Sequence, residues 1–264
     1  MRIGCCAPIG KYEQIAHDSY DFVEFPAWEV ESLTAKQLRE TVEKVRRVGV
    51  PCLRLNAYCK GSPAIVGDGF DTEKTRVYAE SLMEKAAALG VERIGVGAPP
   101  ARRLPEGYDP DLADRQCEEF LRITARAAAA WGIDILLEAL QRGVCSYMNK
   151  TDQALAMVQK LNLENVRLVV DLYHMETQGE SWDTLAAYIP WTRHVHVSTV
   201  GEGIRRGLYQ LGGESDCDRA FRAIAESGYD GTVSIEPDAS ELTPDATKTA
   251  LELMRRACRR AGLL

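Results

Sequence analysis

The sequence contains no apolar run near the ~20 residues needed to cross a bilayer, which argues against a membrane-spanning segment. Met1–Pro8 does not combine a basic start with a long apolar stretch, so no secretory leader is expected. There is no C-x-x-C pair among the eight cysteines (Cys5, Cys6, Cys52, Cys59, Cys117, Cys145, Cys217 and Cys258). That removes the usual zinc or dithiol spacing. Their scatter through 264 residues does not fit a small secreted disulfide scaffold. Reduced thiols acting as small apolar fillers in a cytoplasmic protein are the expectation. No G-x-G-x-x-G loop follows an apolar run, which lowers the case for dinucleotide binding. Basic residues are outnumbered 32 to 39, for a formal net charge of -7. Holding a nucleic-acid backbone needs Lys and Arg in place of phosphate counterions, so neither DNA nor RNA is expected as a partner.

What the chain does have is alternation. Short apolar runs recur at Arg2–Ala7, Phe22–Phe25, Cys52–Leu55, Arg93–Val96, Asp134–Ala139, Val166–Asp171, His194–Val197 and Thr232–Glu236. Between them lie stretches with helical spacing: Lys36–Val48, Asp71–Leu89, Asp111–Trp131, Thr151–Leu161, Ser215–Glu226 and Thr243–Ala261. Asp, Ser or Thr at a start satisfies orphan N–H groups, and Thr151 reads as such a cap. Gly90, Gly132, Gly228 and Gly262 supply the left-handed residue that stops a helix. Repeated strand–helix units imply parallel strands covered by helices. Eight units in about 250 residues imply closure. The expectation is one α/β domain over residues 1–264, a single (β/α)₈ TIM barrel with parallel strands, with an open doubly wound sheet as runner-up. The Pro- and Arg-rich segment Ala98–Asp109 reads as one long loop, with Arg102 and Arg103 solvated in it.

In such a barrel, chemistry sits at the C-terminal ends of the strands. The fifth run ends in Glu138, the sixth in Asp171, the seventh contains His196 and the eighth ends in Glu236. Each carboxylate is costly to desolvate unless it is paired or bound to a cation. Any one alone reads better as a helix cap or an ion pair. Four on consecutive strands converge on one rim. Three carboxylates and one imidazole form an oxygen and nitrogen donor set for one divalent metal ion, Mn²⁺ first and Mg²⁺ or Co²⁺ as alternatives. For a carbonyl beside a hydroxyl-bearing carbon, a Lewis acid acidifies the neighbouring C–H. Glu138 and Glu236 come from non-adjacent strands and are the expected catalytic pair, one removing the proton and the other returning it. Return to the opposite face epimerises, and return to the neighbouring carbon isomerises. A leaving group on the β carbon turns the same chemistry into that of a lyase or dehydratase.

The segments Tyr20-Asp-Phe-Val-Glu24, Glu138-Ala-Leu-Gln-Arg142, Asp171-Leu-Tyr-His174-Met175, His194-Val-His196 and Gly228-Tyr-Asp-Gly-Thr-Val-Ser-Ile-Glu236-Pro resemble the xylose-isomerase-like sugar isomerase/epimerase superfamily. The pattern is nearest to the D-tagatose 3-epimerase type. The resemblance implies a sugar-like small-molecule substrate and a homodimer or homotetramer. It implies the ligand set Glu138, Asp171, His196 and Glu236, with His174 on substrate. An arginine soon after the seventh strand also contacts substrate in the family, and Arg205 and Arg206 are the candidates here. The family carries a second Glu six residues after the strand-five Glu, where this chain has Val144. That departure leaves the metal site intact and keeps elimination from a keto-glycoside or inosose open, because an unpaired buried hydroxyl would be rejected.

Other residues carry two readings each. Trp28, in a loop after the second strand, reads as an apolar wall for a sugar or as core packing. Asn56 and Tyr58 follow the third strand and are candidates for substrate contact. Glu24 lines the pocket or is a plain rim carboxylate. His194 is expected to point away from His196, against a flanking helix. Two other functions share this barrel. An abasic-site endonuclease needs many histidines for three zinc ions, and this chain has four (His17, His174, His194, His196). A non-catalytic sugar-binding barrel has no need of two opposed rim carboxylates.

Overall fold

Eight parallel strands close on themselves in the order β1-β10-β7-β6-β5-β4-β3-β2. This is a computed structural model, and it describes residues 1–16, 19–200, 206–208 and 216–264. The barrel strands are β1 (Arg2–Cys6), β2 (Phe22–Pro26), β3 (Cys52–Asn56), β4 (Arg93–Val96), β5 (Asp134–Glu138), β6 (Val166–Asp171), β7 (Thr192–Val197) and β10 (Thr232–Ile235). The fold is the expected TIM barrel, and every expected strand lies where its apolar run does. A short antiparallel ribbon, β8 (Thr199–Val200) with β9 (Arg206–Gly207), follows β7 at its C-terminal end.

Helices cover the outside of the sheet. The long ones are α3 (Ala35–Val48), α4 (Thr72–Leu89), α5 (Pro110–Ala129), α6 (Thr151–Leu161), α9 (Asp216–Glu226) and α10 (Pro244–Arg260). Thr34 caps α3 through the Gln37 N–H, Asp71 caps α4 and Thr243 caps α10. Gly49 and Gly90 end α3 and α4 in the left-handed conformation, with φ of 88° and 81°. Thr151 departs from expectation. It is the first residue inside α6, and the Glu180 carboxylate accepts from its N–H at 3.1 Å and its hydroxyl at 3.2 Å. Shorter helices lie nearer the rim: α1 (Tyr12–Ile15), α2 (Ala27–Ser32), α7 (Leu172–Thr177) and α8 (Leu185–Tyr188). Among the described residues, no helix is long and apolar enough to cross a membrane.

A barrel interior is ordinarily filled by layers of bulky apolar side chains. Here Glu24, Arg54, His194, His196, Thr232 and Ser234 are buried among them. The segment Ala98–Asp109 is also not a simple loop. Residues Pro99–Arg102 form a 3₁₀ turn, and Arg102 is fully buried rather than solvated. Its guanidinium donates to the Glu138 carbonyl at 2.6 Å and to the Val96 carbonyl. This strap ties the β4 loop to the end of β5. Arg103, next to it, is exposed as expected.

Candidate metal centre and active site

Register places the donors. Asp171 of β6 pairs with His196 of β7, and His196 pairs with Ser234 of β10, two residues before Glu236. Glu138 ends β5 beside Val169. One ligand atom from each of Glu138, Asp171, His196 and Glu236 lies within 4.8 Å of the other three. All four expected ligands are therefore brought together, and the first three are buried.

Several donor atoms face inward without a hydrogen bond. Glu138 Oε1 and His196 Nδ1 have none, although His196 Nδ1 lies 3.2 Å from Glu236 Oε2 and 3.7 Å from Glu138 Oε1. A buried polar atom left unpaired is costly. Asp171 divides its labour. Its Oδ1 caps α7 by accepting from the Tyr173 N–H at 2.8 Å, and its Oδ2 turns to the cluster. The helix-cap reading and the ligand reading of Asp171 thus both hold, one for each oxygen.

Among the described residues, the Arg206 guanidinium meets two of these carboxylates. Its Nη1 stands 2.7 Å from Asp171 Oδ2 and 2.5 Å from Glu236 Oε2, and it lies over the Tyr173 ring at 4.6 Å. Arg205, the other arginine candidate, lies outside the described residues. Arg206 Nη2 is also 2.7 Å from His174 Nε2, while the Gln141 N–H donates to His174 Nδ1 at 3.1 Å. A neutral imidazole accepts at one nitrogen only. One of the two contacts therefore sets donor against donor.

The two glutamates are tuned apart. Burial pushes the Glu138 carboxyl up to about 7, with Glu236 and Asp171 adding to the rise. Burial also pushes on Glu236, but Arg206 and His196 outweigh it and hold that carboxyl below its ordinary value. Asp171 is held low in the same way, by Arg206 and the two nearby histidines, against its burial. Burial holds His174 down at about 4, so it is neutral at pH 7.

Asn56 belongs to the site: its amide donates to Glu236 Oε1 at 2.9 Å, and its own Oδ1 is buried without a partner. Tyr58 does not belong. It is fully buried in the outer core, edge-on to Phe120 with ring centroids 5.3 Å apart, because the chain turns outward at Ala57, whose φ is 45°. Trp28 sits on helix α2, not in a loop, and the Lys60 ammonium covers its ring at 3.3 Å. Val144 is half-buried in the turn that follows β5, its N–H donating to the Gln141 carbonyl at 3.1 Å.

The family model described as xylose isomerase-like TIM barrel matches residues 13–257. The chain belongs to the xylose isomerase-like TIM barrel family. A Streptomyces coelicolor protein that carries a provisional hydroxypyruvate isomerase name is 30% identical over 230 residues, covering 82% of this chain and 78% of that one. D-Psicose 3-epimerase from Clostridium cellulolyticum H10, solved with D-tagatose, superimposes with a TM-score of 0.82 at 18% identity, over 97% of this chain and 99% of that one. The IOLI protein, solved with a zinc atom, superimposes with a TM-score of 0.76 at 20% identity, over 99% of both chains.

Within this xylose isomerase-like barrel, His194 and Glu24 also lie elsewhere than the sequence suggests. Successive side chains alternate faces, so His194 and His196, two apart, share one face. Their rings meet edge-on with centroids 4.8 Å apart, inside the barrel. Glu24 is neither a pocket wall nor a rim carboxylate. It is buried, and its two oxygens reach His194 at 3.0 Å and His196 at 3.1 Å. Arg54 and Gly97 were missed. Arg54 carried a signal, a charge inside the apolar run Cys52–Leu55. Gly97 carried none, since only the structure shows that a Cβ there would lie 2.6 Å from Glu138 Oε2.

Proposed function

We propose that this protein is a divalent-metal-dependent isomerase or epimerase of a keto-sugar or a similar small α-hydroxy carbonyl compound. The observation that carries the reading is the cluster of four donors with Glu138 Oε1 and His196 Nδ1 buried and unpaired. Glu138, Asp171, His196 and Glu236 fit one divalent ion of the hard or borderline kind, such as Mn²⁺, Mg²⁺ or Co²⁺. Such an ion, when bound, supplies Lewis-acid polarisation of the substrate carbonyl.

The chain's own residues do the rest. Glu138 and Glu236 reach the site from β5 and from the end of β10, on either side of β6 and β7. With a substrate between them, they face its reacting carbon from two sides. The carboxylate on one side takes the proton from the carbon next to the carbonyl, and the other delivers one. Without an ion, burial raises the Glu138 carboxyl while Arg206 and His196 hold that of Glu236 down, so the two carboxylates are chemically distinct. Asn56 fixes the Glu236 carboxylate by its 2.9 Å bond. His174, held by Gln141, and Arg206, over Tyr173, offer donors to substrate oxygens.

A relative with a hydroxypyruvate isomerase name and a fold neighbour crystallised with D-tagatose both concern compounds with a hydroxyl-bearing carbon beside a carbonyl. The test is a panel of ketoses, hydroxypyruvate, inososes and 3-keto-glycosides with Mn²⁺ in deuterated water. Deuterium is expected to enter the substrate at the carbon beside the carbonyl, followed by the isomer or epimer. Glu236→Gln should lose that exchange. Full-rate exchange in Glu236→Gln would end its assignment as a catalytic carboxylate.

A further inference from the structure

A line of buried polar groups runs down the barrel axis from the metal centre to its opposite end. Arg54 at its base has only N–H donors to offer. Its Nε and Nη2 both donate to the Thr232 hydroxyl oxygen, at 3.3 and 3.2 Å. Its Nη1 donates to the Leu53 carbonyl and to Glu92, each at 2.9 Å, and Phe22 packs beneath the guanidinium. A hydroxyl has two lone pairs and one hydrogen. With both lone pairs engaged by Arg54, Thr232 has only its hydrogen left, and His194 Nδ1 is 2.8 Å away. His194 Nδ1 is therefore an acceptor, and the ring hydrogen sits on Nε2. That hydrogen is donated to Glu24 Oε2 at 3.0 Å. The other oxygen, Oε1, faces His196 Nε2 at 3.1 Å and fixes a hydrogen there too. The Cys6 sulfur, 4.0 Å from the same nitrogen, is a weak acceptor on the same side. His196 Nδ1 is left as the nitrogen turned to Glu138 and Glu236, with no hydrogen bond of its own.

We infer that Arg54, Thr232, His194 and Glu24 form a positioning column that fixes the hydrogen of His196 on Nε2 and so reserves Nδ1 for the cation. This rests on the cation-site reading above and adds the residues that prepare it. None of the four belongs to the donor group Glu138, Asp171, His196 and Glu236. They act through His196, as a carboxylate behind a metal-bound imidazole does. The direction of every bond follows from the one end that cannot accept. Reversal would require Arg54 to give up a lone pair it does not have. The column also accounts for polar residues in a barrel interior that is ordinarily apolar, and for a buried arginine whose carboxylate partner, Glu92, lies at the far end from the reaction.

The test separates the column from the cation. Long-range ¹H–¹⁵N spectra of the metal-free protein at pH 7 should show His194 with its hydrogen on Nε2 and a bare Nδ1. After loading with Zn²⁺, chosen because it is diamagnetic, His196 should retain a hydrogen-bonded Nε2–H and show the metal-induced shift on Nδ1. Thr232→Val should mix the two His194 tautomers and weaken Zn²⁺ binding by about 10–100-fold in calorimetry. Thr232→Ser, which keeps the hydroxyl, should restore both. A hydrogen on Nδ1 of His194 in the wild type would overturn the column whether or not metal binds, and this reading does not need any variant to fold. Unchanged tautomer and affinity in folded Thr232→Val would overturn it too. Absence of Zn²⁺ binding with His194 in the expected tautomer would instead overturn the cation-site reading and leave the hydrogen-bond order standing.

Discussion

Replacing Gly97 by alanine should injure the site while sparing the fold. Gly97 follows β4, and a Cβ there would lie 2.6 Å from Glu138 Oε2 and 3.7 Å from its Cδ. Ordinary contact begins near 3.4 Å, so the carboxylate oxygen must retreat by about 0.8 Å. The backbone at 97 is not left-handed, so alanine can adopt it. Relaxation therefore falls on the Glu138 side chain, whose backbone carbonyl is pinned by Arg102. Misplacing a reacting group by 1 Å costs about 100-fold in rate, or about 2.7 kcal/mol of transition-state stabilisation. Gly→Ala at a compatible site also stabilises the fold by about 0.4–1 kcal/mol through the unfolded chain. The expected variant melts at or slightly above the wild-type temperature, binds Mn²⁺ more weakly in calorimetry, and loses about 100-fold in kcat/KM on whichever substrate the wild type turns over. A folded Gly97→Ala with wild-type affinity and turnover would refute the placement of Glu138 against that glycine.

Other outcomes follow from the same geometry. Mn²⁺ at about 100 times its Kd should stabilise the protein by about 2.7 kcal/mol and raise Tm by about 5–10 °C, and Asp171→Asn should abolish most of that rise; a differential scan decides. Arg206→Ala should melt lower than wild type without metal, because Asp171 and Glu236 lose their cationic partner, and should gain more from Mn²⁺ than the wild type does; equal gains would show that guanidinium and ion do not compete. His194 is held at about 4 by burial, below its unfolded value of about 6.5. The folded state therefore binds fewer protons between those values, and stability present above pH 6.5 is lost as pH falls toward 4, by up to about 3 kcal/mol from this group. Urea unfolding from pH 7 to 4.5 should show a shallower loss in His194→Asn, and identical slopes would contradict a neutral buried His194.

The barrel and its four donors were legible because each depends on local pattern. Alternating runs and helical stretches announce parallel strand–helix units, and a carboxylate or histidine at a strand end lands on the rim whatever the neighbours are. What was not legible depends on partners distant in the chain. Arg102 reads as solvated within its Pro-rich segment until the carbonyls of Val96 and Glu138 are seen to surround it. Tyr58 reads as a rim residue until the turn at Ala57 sends it outward. His194 was within reach, since the two-residue period of a strand already puts it beside His196. Glu24 needed the structure, because β2 meets β7 only across the barrel interior.

The central claim is that Glu138, Asp171, His196 and Glu236 hold one divalent cation. Anomalous diffraction from crystals grown with Mn²⁺ tests it most directly. One peak per chain is expected, at about 2.0–2.3 Å from a carboxylate oxygen of each acid and from His196 Nδ1, with the Arg206 guanidinium withdrawn from Asp171 and Glu236. A map without a peak at those donors, with Arg206 still seated on the two carboxylates at saturating Mn²⁺, would contradict the claim.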